Sequence, residues 1–282
     1  DHLVDLIALI LILSMMSLSG YMLWDSNQVY EKADAKVYEP YMPTRNHSKS
    51  FKELQQINSD VIGWLKVNNT HINYPFVQYE NDDKYMNTDA EGNYSLSGSI
   101  FLHAENNPHF TDFNNIIYGH HMEKHMMFGD VGLFADKEYF DEHPYGNLFF
   151  DGKDHGIEFY ALIQADAYNE RLFSVSSEEP AAKQAYLQEI SDNALHKRNI
   201  ELTENDHLVL LITCTSDMTN GRNILVGRLT DQVYPEKEKA KNLGTGIDKL
   251  KEKMIHFKES LKKKIVDANK ELAAVKYNFK TN

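Results

Sequence analysis

Residues Leu208–Leu229 read LVLLITCTSDMTNGRNILVGRL and contain two apolar runs separated by polar residues. Its first part, Leu208–Ile212, is an unbroken apolar run, which is typical of a strand buried on both faces. Polar residues follow and end in Asn220-Gly221, a strong hairpin signal. A second apolar run, Ile224–Val226, comes shortly after. The stretch therefore predicts a β-hairpin.

This hairpin would hold Cys214 at the tip of its first strand and Arg222 at the root of its second. Cys214 is the single cysteine of the chain, so it cannot form an intramolecular disulfide. A lone cysteine is most often a small buried hydrophobe. A structural cysteine is expected inside the apolar run, however, whereas Cys214 follows that run, beside a fixed cation that favours thiolate. We therefore interpret it as a reactive thiol.

The charge of the chain is unevenly distributed. Its 282 residues, 25% of them charged and 11% aromatic, are typical of a globular protein, and the net charge is −13. Residues 236–282 contain 13 lysines and 7 acidic residues, so they carry +6 and the rest carries −19. An acidic body disfavours nucleic acid as a partner, because phosphates require lysine and arginine. The basic tail could instead contact an anionic surface.

An uncharged, apolar stretch of membrane-spanning length lies near the start of the chain, at Leu6–Trp24. A cleaved signal peptide and a buried helix are the alternatives. A signal core is usually shorter and ends in a small-residue cleavage site, which Ser17–Ser19 resembles only weakly. We predict a retained transmembrane anchor at residues 1–25, with Tyr21 and Trp24 at the membrane interface.

The middle of the chain predicts an all-β domain. Residues 26–50 are polar and are interpreted as a stalk, and residues 51–232 contain short strands separated by turns, as in a barrel or sandwich. The predicted strands are Val61–Val67, Ile72–Gln78, Gly98–Leu102, Asn114–Tyr118, Ile157–Gln164, Leu208–Ile212 and Ile224–Leu229. The predicted helices are Phe51–Ile57, Met127–Phe134 and Pro180–His196.

Residues 233–282 form the last predicted region, a basic amphipathic helix. Apolar residues recur there at spacings of three and four, from Ile247 to Ile265, and the opposite face is rich in lysine. Such a helix packs on the domain or projects as a solvated arm, or it binds a membrane surface or a partner. The sequence leaves these alternatives open.

His120 is the candidate proton carrier for a thiol nucleophile, which needs an acid or base partner. There are thirteen histidines, but His120 follows an apolar strand and Gly119, and this setting mirrors that of Cys214. Two strand ends on one rim of a barrel can hold their side chains rigidly together. We therefore predict that the imidazole and the thiol meet.

His121 and His125 raise the alternative of a metal site, since histidines four residues apart can share a helical face. No matching set of carboxylates or further cysteines accompanies them in the sequence. We interpret both as loop residues and predict no metal site.

Several separate motifs resemble those of the class B sortases, cysteine transpeptidases of Gram-positive bacteria, over residues 50–230. These motifs are Asp60–Leu65 (DVIGWL), Ile72–Gln78 (INYPFVQ), Gly98–Phe101 (GSIF), Ile117–Met122 (IYGHHM) and Leu211–Cys214 (LITC) with Arg222 eight residues on. The resemblance implies a mainly β fold, an eight-stranded sortase-type barrel with peripheral helices. One of these helices, matched by Pro180–His196, precedes the penultimate strand.

The resemblance also implies a reaction without a cofactor. Cys214 would attack the carbonyl of a threonine in a C-terminal sorting signal and form a thioester. His120 would protonate the departing amine and deprotonate the incoming one. Arg222 would stabilise the oxyanion or orient the substrate carbonyl, with the Thr213 hydroxyl beside it. Arg228 is a second candidate for the arginine role, and Arg222 is preferred.

Partners and substrate-binding residues follow from the same resemblance. The substrates would be surface proteins or pilins with an Asn-Pro-x-Thr-like signal, and the acceptor an amine of a peptidoglycan cross-bridge or a pilin lysine. Asp82 and Met86 fall where the family has Asn and Leu in a substrate-binding segment, and Tyr118 precedes the histidine motif. The catalytic domain would lie outside the membrane. A purely hydrolytic cysteine peptidase and a non-enzymatic surface scaffold are the alternatives.

Overall fold

A computed structural model describes residues 2–43, 49–176, 178–214 and 221–236, and for His2, Lys49, Glu170 and Cys214 it describes the backbone alone. The amphipathic helix predicted around Ile247–Ile265 lies outside the described residues. The α-helices of the described part are α1 (His2–Ala33), α2 (Lys49–Ile57), α3 (Lys137–Glu142), α4 (Glu170–Phe173) and α5 (Pro180–Asn193). Its strands are β1 (Val61–Val67), β2 (Asn73–Val77), β3 (Ile100–Leu102), β4 (Asn114–Tyr118), β5 (Tyr145–Phe150), β6 (Lys153–Asp166), β7 (Ala194–Lys197), β8 (Leu208–Cys214) and β9 (Gly221–Thr230).

Eight of these strands close into a barrel, as predicted. They pair in the order β5-β1-β2-β3-β4-β8-β9-β6, and a further pairing between β5 and β6 completes the circle. The neighbours are antiparallel except for two parallel pairs, β2 with β3 and β4 with β8. Closure leaves no open sheet edge among these eight strands. The short β7 adds to β6 outside the circle.

The apolar run of β8 is buried on both faces, which confirms the interpretation of its sequence. Val209 and Leu211 belong to the core inside the barrel. Leu208, Leu210 and Ile212 belong to a second core, which contains Tyr186 and Ile190 of α5. Successive strand residues point to opposite faces, so an unbroken apolar run is what a strand between two cores requires.

Two local predictions were wrong. Strand β5 was missed because Gly146-Asn147 has the composition of a turn. The glycine is needed there, since an added Cβ would lie 2.9 Å from the Lys66 carbonyl oxygen. The helix predicted at Met127–Phe134 is a 3₁₀ helix at Gly129–Ala135, preceded by Met127 with a φ of 51°, which an α-helix excludes.

The ends of two elements also differ from the predictions. Helix α5 ends at Asn193, and the residues that follow form β7, because pairing with β6 satisfies their backbone groups. Strand β9 begins at Gly221, so Arg222 lies within a strand rather than just before one.

Helix α1 is long and apolar enough to cross a membrane. Its stretch Leu3–Ala33 has a mean hydropathy of 2.2 over its most apolar window, which is not buried against the rest of the protein. The last residue, Ala33, contacts the barrel: the buried Tyr74 hydroxyl donates to its carbonyl oxygen at 2.9 Å and accepts the Met127 N–H at 2.9 Å. Tyr38, in the segment predicted to be a stalk, is buried too.

Candidate active site

The ends of β4 and β8 place His120 and Cys214 near each other along the backbone. Tyr118 pairs with Ile212 in the parallel ladder, and the Gly119 N–H donates to the Ile212 carbonyl oxygen at 3.1 Å. His120 and Cys214 each lie two residues beyond that pair. The register therefore brings the backbones of both residues to the same end of neighbouring strands.

A cavity of about 410 Å³, the strand-end cavity, lies at this end of the barrel. It is lined by Asp82, Met86, Phe101, Tyr118, Gly119, His120, Ala167, Phe173, Ile212, Thr213 and Arg222. All the sequence-predicted site residues whose side chains are described are in this set, although they come from four separate parts of the chain. For Cys214, the backbone ends β8 directly after the cavity residue Thr213.

His120 is held by the loop between β2 and β3. Its Nε2–H donates to the carbonyl oxygen of Met86 at 2.9 Å, and Met86 ends a 3₁₀ helix in that loop. Gly119, directly before it, packs closely against two buried side chains, since an added Cβ would lie 2.5 Å from Ile100 and 2.7 Å from the Phe128 ring. The histidine therefore depends on a glycine before it and on a carbonyl 34 residues earlier in the chain.

Arg222 lies opposite Cys214 in the antiparallel ladder between β8 and β9. Its Nη1 donates to the Gly221 carbonyl oxygen at 3.0 Å. Arg228, the second candidate, lies opposite Leu208 at the other end of β8 and forms an ion pair with Glu158 at 2.6 Å. The strand-end cavity thus contains the preferred arginine.

Thr213 contributes a buried hydroxyl to the strand-end cavity. The residue is 2% exposed, and its Oγ1 has no hydrogen-bond partner among the described residues. A buried hydroxyl without a partner costs about 1–3 kcal/mol, so its presence in a cavity calls for a functional explanation. Such a hydroxyl can donate a hydrogen bond to an oxygen atom that enters the cavity.

Asp82 is held in place by His103, which sequence reasoning missed. Asp82 Oδ2 lies 2.5 Å from His103 Nδ1, and its Oδ1 accepts the Ala104 N–H at 2.8 Å. The hydrogen bond to Asp82 raises the pKa of His103. The position of His103, directly after β3, was the available signal, because it repeats the strand-end pattern of His120 and Cys214.

Tyr118 remains a neutral phenol over a wide pH range. Burial raises its pKa to about 12, the negative charge of Asp82 acts in the same direction, and the positive charge of Arg222 opposes it. Its ring contacts the His103 ring edge-on, with centroids 5.8 Å apart. Tyr118 therefore adds a polar but uncharged side chain to a cavity that also contains the Asp82 carboxylate and the Arg222 guanidinium.

The remaining wall of the strand-end cavity is apolar. It comes from Phe101 of β3, Ile212 of β8, Ala167 and Phe173. Phe173 is in the four-residue helix α4, which is too short to show a periodic pattern and was not predicted. The cavity thus joins an apolar wall to an imidazole, a guanidinium and a hydroxyl at the end of the strand that carries the lone cysteine. That combination suits acyl transfer through a thiol.

Comparison with known proteins finds class B sortases among the similar chains. No family model matches the chain. Sortase B of Listeria monocytogenes is 28% identical over 209 residues, which cover 73% of this chain and 82% of the relative. A crystal structure of sortase B from the type II pilus of Streptococcus pneumoniae is 43% identical with a TM-score of 0.57, and the match covers 64% of this chain and 99% of that one. A Streptococcus pyogenes class B sortase involved in pilus biogenesis is 38% identical with a TM-score of 0.58, covering 64% and 97% of the two chains.

Proposed function

The chain belongs to the class B sortases, and we propose that this transpeptidase cleaves a C-terminal sorting signal after threonine through a thioester on Cys214. The observation that carries the proposal is the strand-end cavity. His120 and Arg222 line it together, and the backbone of Cys214 adjoins both of their strands.

The proposed reaction begins when the Cys214 thiolate attacks the threonine carbonyl carbon. The resulting oxyanion accepts hydrogen bonds from the Arg222 guanidinium and the Thr213 hydroxyl, which lacks another partner among the described residues. His120 then donates a proton to the departing amine as the peptide bond breaks. The thioester remains, and the C-terminal fragment leaves.

The second half of the reaction reverses these roles. An amine attacks the thioester carbonyl while His120 accepts its proton, and the Cys214 thiolate is the leaving group. His120 can serve both halves because the Met86 carbonyl fixes the orientation of its ring.

Recognition of the sorting signal is proposed to involve the loop between β2 and β3. Asp82 and Met86 come from this loop, and Tyr118 and Thr213 from the adjoining strands. The asparagine amide of an Asn-Pro-x-Thr-like peptide can donate to the Asp82 carboxylate. The proline of such a peptide suits the apolar wall that contains Phe101 and Phe173.

The acceptor amine is proposed to be a pilin lysine. Of the class B sortases compared, the one at 43% identity is from a type II pilus and the one at 38% identity is involved in pilus biogenesis. A peptidoglycan cross-bridge amine is the second candidate, because surface-protein attachment uses the same acyl-enzyme. We also propose that α1 anchors the enzyme in the cell membrane, with the barrel on the outer side.

The proposal is tested with the full chain in detergent micelles and a small set of sorting-signal pentapeptides. Mass spectrometry should detect a thioester adduct on Cys214, absent from Cys214→Ala. Adding a lysine-bearing pilin peptide should then convert the adduct into an amide product faster than a cross-bridge peptide does.

Each alternative predicts a different result in the same experiment. Turnover that does not respond to any amine would identify a hydrolytic peptidase. A folded protein without adduct at any peptide, whose thiol also resists a small alkylating reagent, would identify a non-enzymatic scaffold and refute the proposal.

A further inference from the structure

A second cluster of functional groups lies outside the strand-end cavity, and we propose that it is a binding site for a divalent transition metal such as Zn²⁺. The cluster consists of His71, His125 and Asp130, whose ligand atoms all lie within 4.8 Å of one another. His71 is in the turn between β1 and β2, His125 is in the loop after His120, and Asp130 is in the 3₁₀ helix that follows.

The three side chains converge on one carboxylate. Asp130 Oδ2 lies 2.8 Å from His71 Nδ1, and Asp130 Oδ1 lies 2.5 Å from His125 Nδ1. The two imidazole rings are stacked, with centroids 4.7 Å apart. The backbone N–H of His71 also donates to Asp130 Oδ2 at 2.8 Å. Both histidines therefore direct their Nδ1 atoms to the Asp130 carboxylate, each to a different oxygen.

The charge of Asp130 requires compensation. Its side chain is 1% exposed, and in the described ranges its ion-pair partners are these two imidazoles, without a lysine or arginine. A buried carboxylate is stable only when paired with a positive charge or coordinated to a metal. A divalent cation held by all three groups supplies that charge.

The donor set suits a transition metal better than Ca²⁺ or Mg²⁺. Two imidazole nitrogens and one carboxylate form a set that Zn²⁺ and related ions bind, whereas Ca²⁺ and Mg²⁺ prefer oxygen ligands throughout. A tetrahedral zinc ion keeps neighbouring donors about 3.3 Å apart. Starting from 2.8 Å and 2.5 Å, the His71 and His125 nitrogens therefore need to move away from the carboxylate oxygens by about 0.5 Å and about 0.8 Å. Both can do so, since their side chains are 67% and 53% exposed.

The metal would stabilise the conformation of the loop that begins at His120. Lys124, His125 and Met127 in this loop have φ values of 59°, 62° and 51°, a left-handed conformation that is unfavourable for residues other than glycine. Coordination through His125 would fix the loop to the β1–β2 turn. The proposed site is thus structural, and it holds the segment next to the catalytic histidine without contacting substrate.

The test measures metal binding directly and uses the full chain, without an affinity tag, in detergent micelles. The Cys214→Ala background removes the thiol, which would otherwise bind Zn²⁺ itself. Calorimetric titration of the chelator-treated protein should show one Zn²⁺ per chain, and Co²⁺ should give the visible absorption of a four-coordinate site. Saturating Zn²⁺ should also raise the melting temperature, because the ion binds only the folded chain.

His71→Ala and His125→Ala provide the decisive comparison, because both side chains are exposed and each variant leaves Asp130 the other imidazole as a partner. Each should lower the Zn²⁺ affinity by at least about tenfold. His109→Ala is the matched control: this exposed histidine also contacts a carboxylate, Asp151, at 2.8 Å, but it lies outside the cluster. Its Zn²⁺ affinity should match that of the background protein.

Two results would overturn the proposal. The absence of saturable binding at one ion per chain would mean that the three residues form only a hydrogen-bonded cluster. Binding that survives in both His71→Ala and His125→Ala would place the ion elsewhere on the protein.

Discussion

Cys214 and Arg222 occupy directly opposite positions in the ladder between β8 and β9. The pairing fixes the distance of the arginine backbone from the proposed nucleophile, because antiparallel partners are held by the strand geometry rather than by a loop. Arg228 is on the same strand, but at the opposite end of β8 from Cys214.

We expect Arg222→Lys to lower kcat by about 10²–10³-fold, the usual cost of losing one oxyanion donor. Lysine keeps the charge but lacks the planar fork of donors that arginine presents to a carbonyl oxygen. The measurement is steady-state turnover of a sorting peptide with a saturating amine. Arg228→Lys is the matched control and should retain full turnover. Equal losses in both variants would contradict the assignment.

His120→Ala should lower kcat/KM by about 10²–10⁴-fold, because it removes the group that we propose transfers the proton in both half-reactions. Single-turnover mass spectrometry separates the two halves by following the thioester and then the amide product. The control is His109→Ala, which removes an exposed histidine that contacts Asp151, a residue distant from it in sequence. Full turnover of the His120 variant would show that another group carries the proton.

Gly119→Ala should destabilise the fold by about 1–3 kcal/mol, the usual cost of overpacking a core. The added Cβ would lie 2.5 Å from Ile100 and 2.7 Å from the Phe128 ring. Urea unfolding of the full chain in micelles measures the change. Gly132→Ala is the control, because its nearest neighbour, an Asn223 nitrogen, would be 3.6 Å away, an ordinary contact. Similar unfolding midpoints for the two variants would refute the packing argument.

The pair of His103 and Asp82 should make stability depend on pH. The hydrogen bond to Asp82 raises the pKa of His103 in the folded state. The stability contributed by the charged imidazole is therefore complete below its unfolded pKa of about 6.5 and is lost as the pH rises through the folded value.

We expect the stability difference between the wild type and His103→Gln to be largest near pH 5–6, roughly where the free imidazole is charged, and to shrink at higher pH. Asp82→Asn, which removes the other partner, should give a difference with the same direction. Unfolding midpoints across this pH series provide the measurement, and a difference that stays constant with pH would argue against the linkage.

The barrel was predictable from sequence where burial leaves a simple pattern. The apolar run of β8 and the motifs around β1, β2 and β4 have the composition of buried strands, so these elements were predicted within a few residues. Strand β5 was not, because Gly146-Asn147 has the composition of a turn, although the glycine is required by the neighbouring carbonyl. Long-range pairing overrode local preference there and at β7.

The candidate site was predictable where it follows strand ends. His120 and Arg222 line one cavity because the register of β4, β8 and β9 brings their strand ends together. The groups that position His120 and Asp82 were not predictable. These groups, the Met86 carbonyl and His103, lie outside the strands, in segments whose path depends on the whole barrel. The cluster at Asp130 was missed for the same reason: His71 is 59 residues away in sequence.

The Tyr74 hydroxyl has a practical consequence for anyone who prepares a soluble form of this enzyme. It accepts the Met127 N–H in the loop after His120 and donates to the carbonyl oxygen of Ala33, while the Lys124 ammonium lies 4.1 Å from the centre of the Tyr30 ring. Removing the whole of α1 would leave this buried hydroxyl without its acceptor, at a cost of about 1–3 kcal/mol. A truncated enzyme should therefore begin before Tyr30, so that the final turn of α1 still contacts the loop after His120.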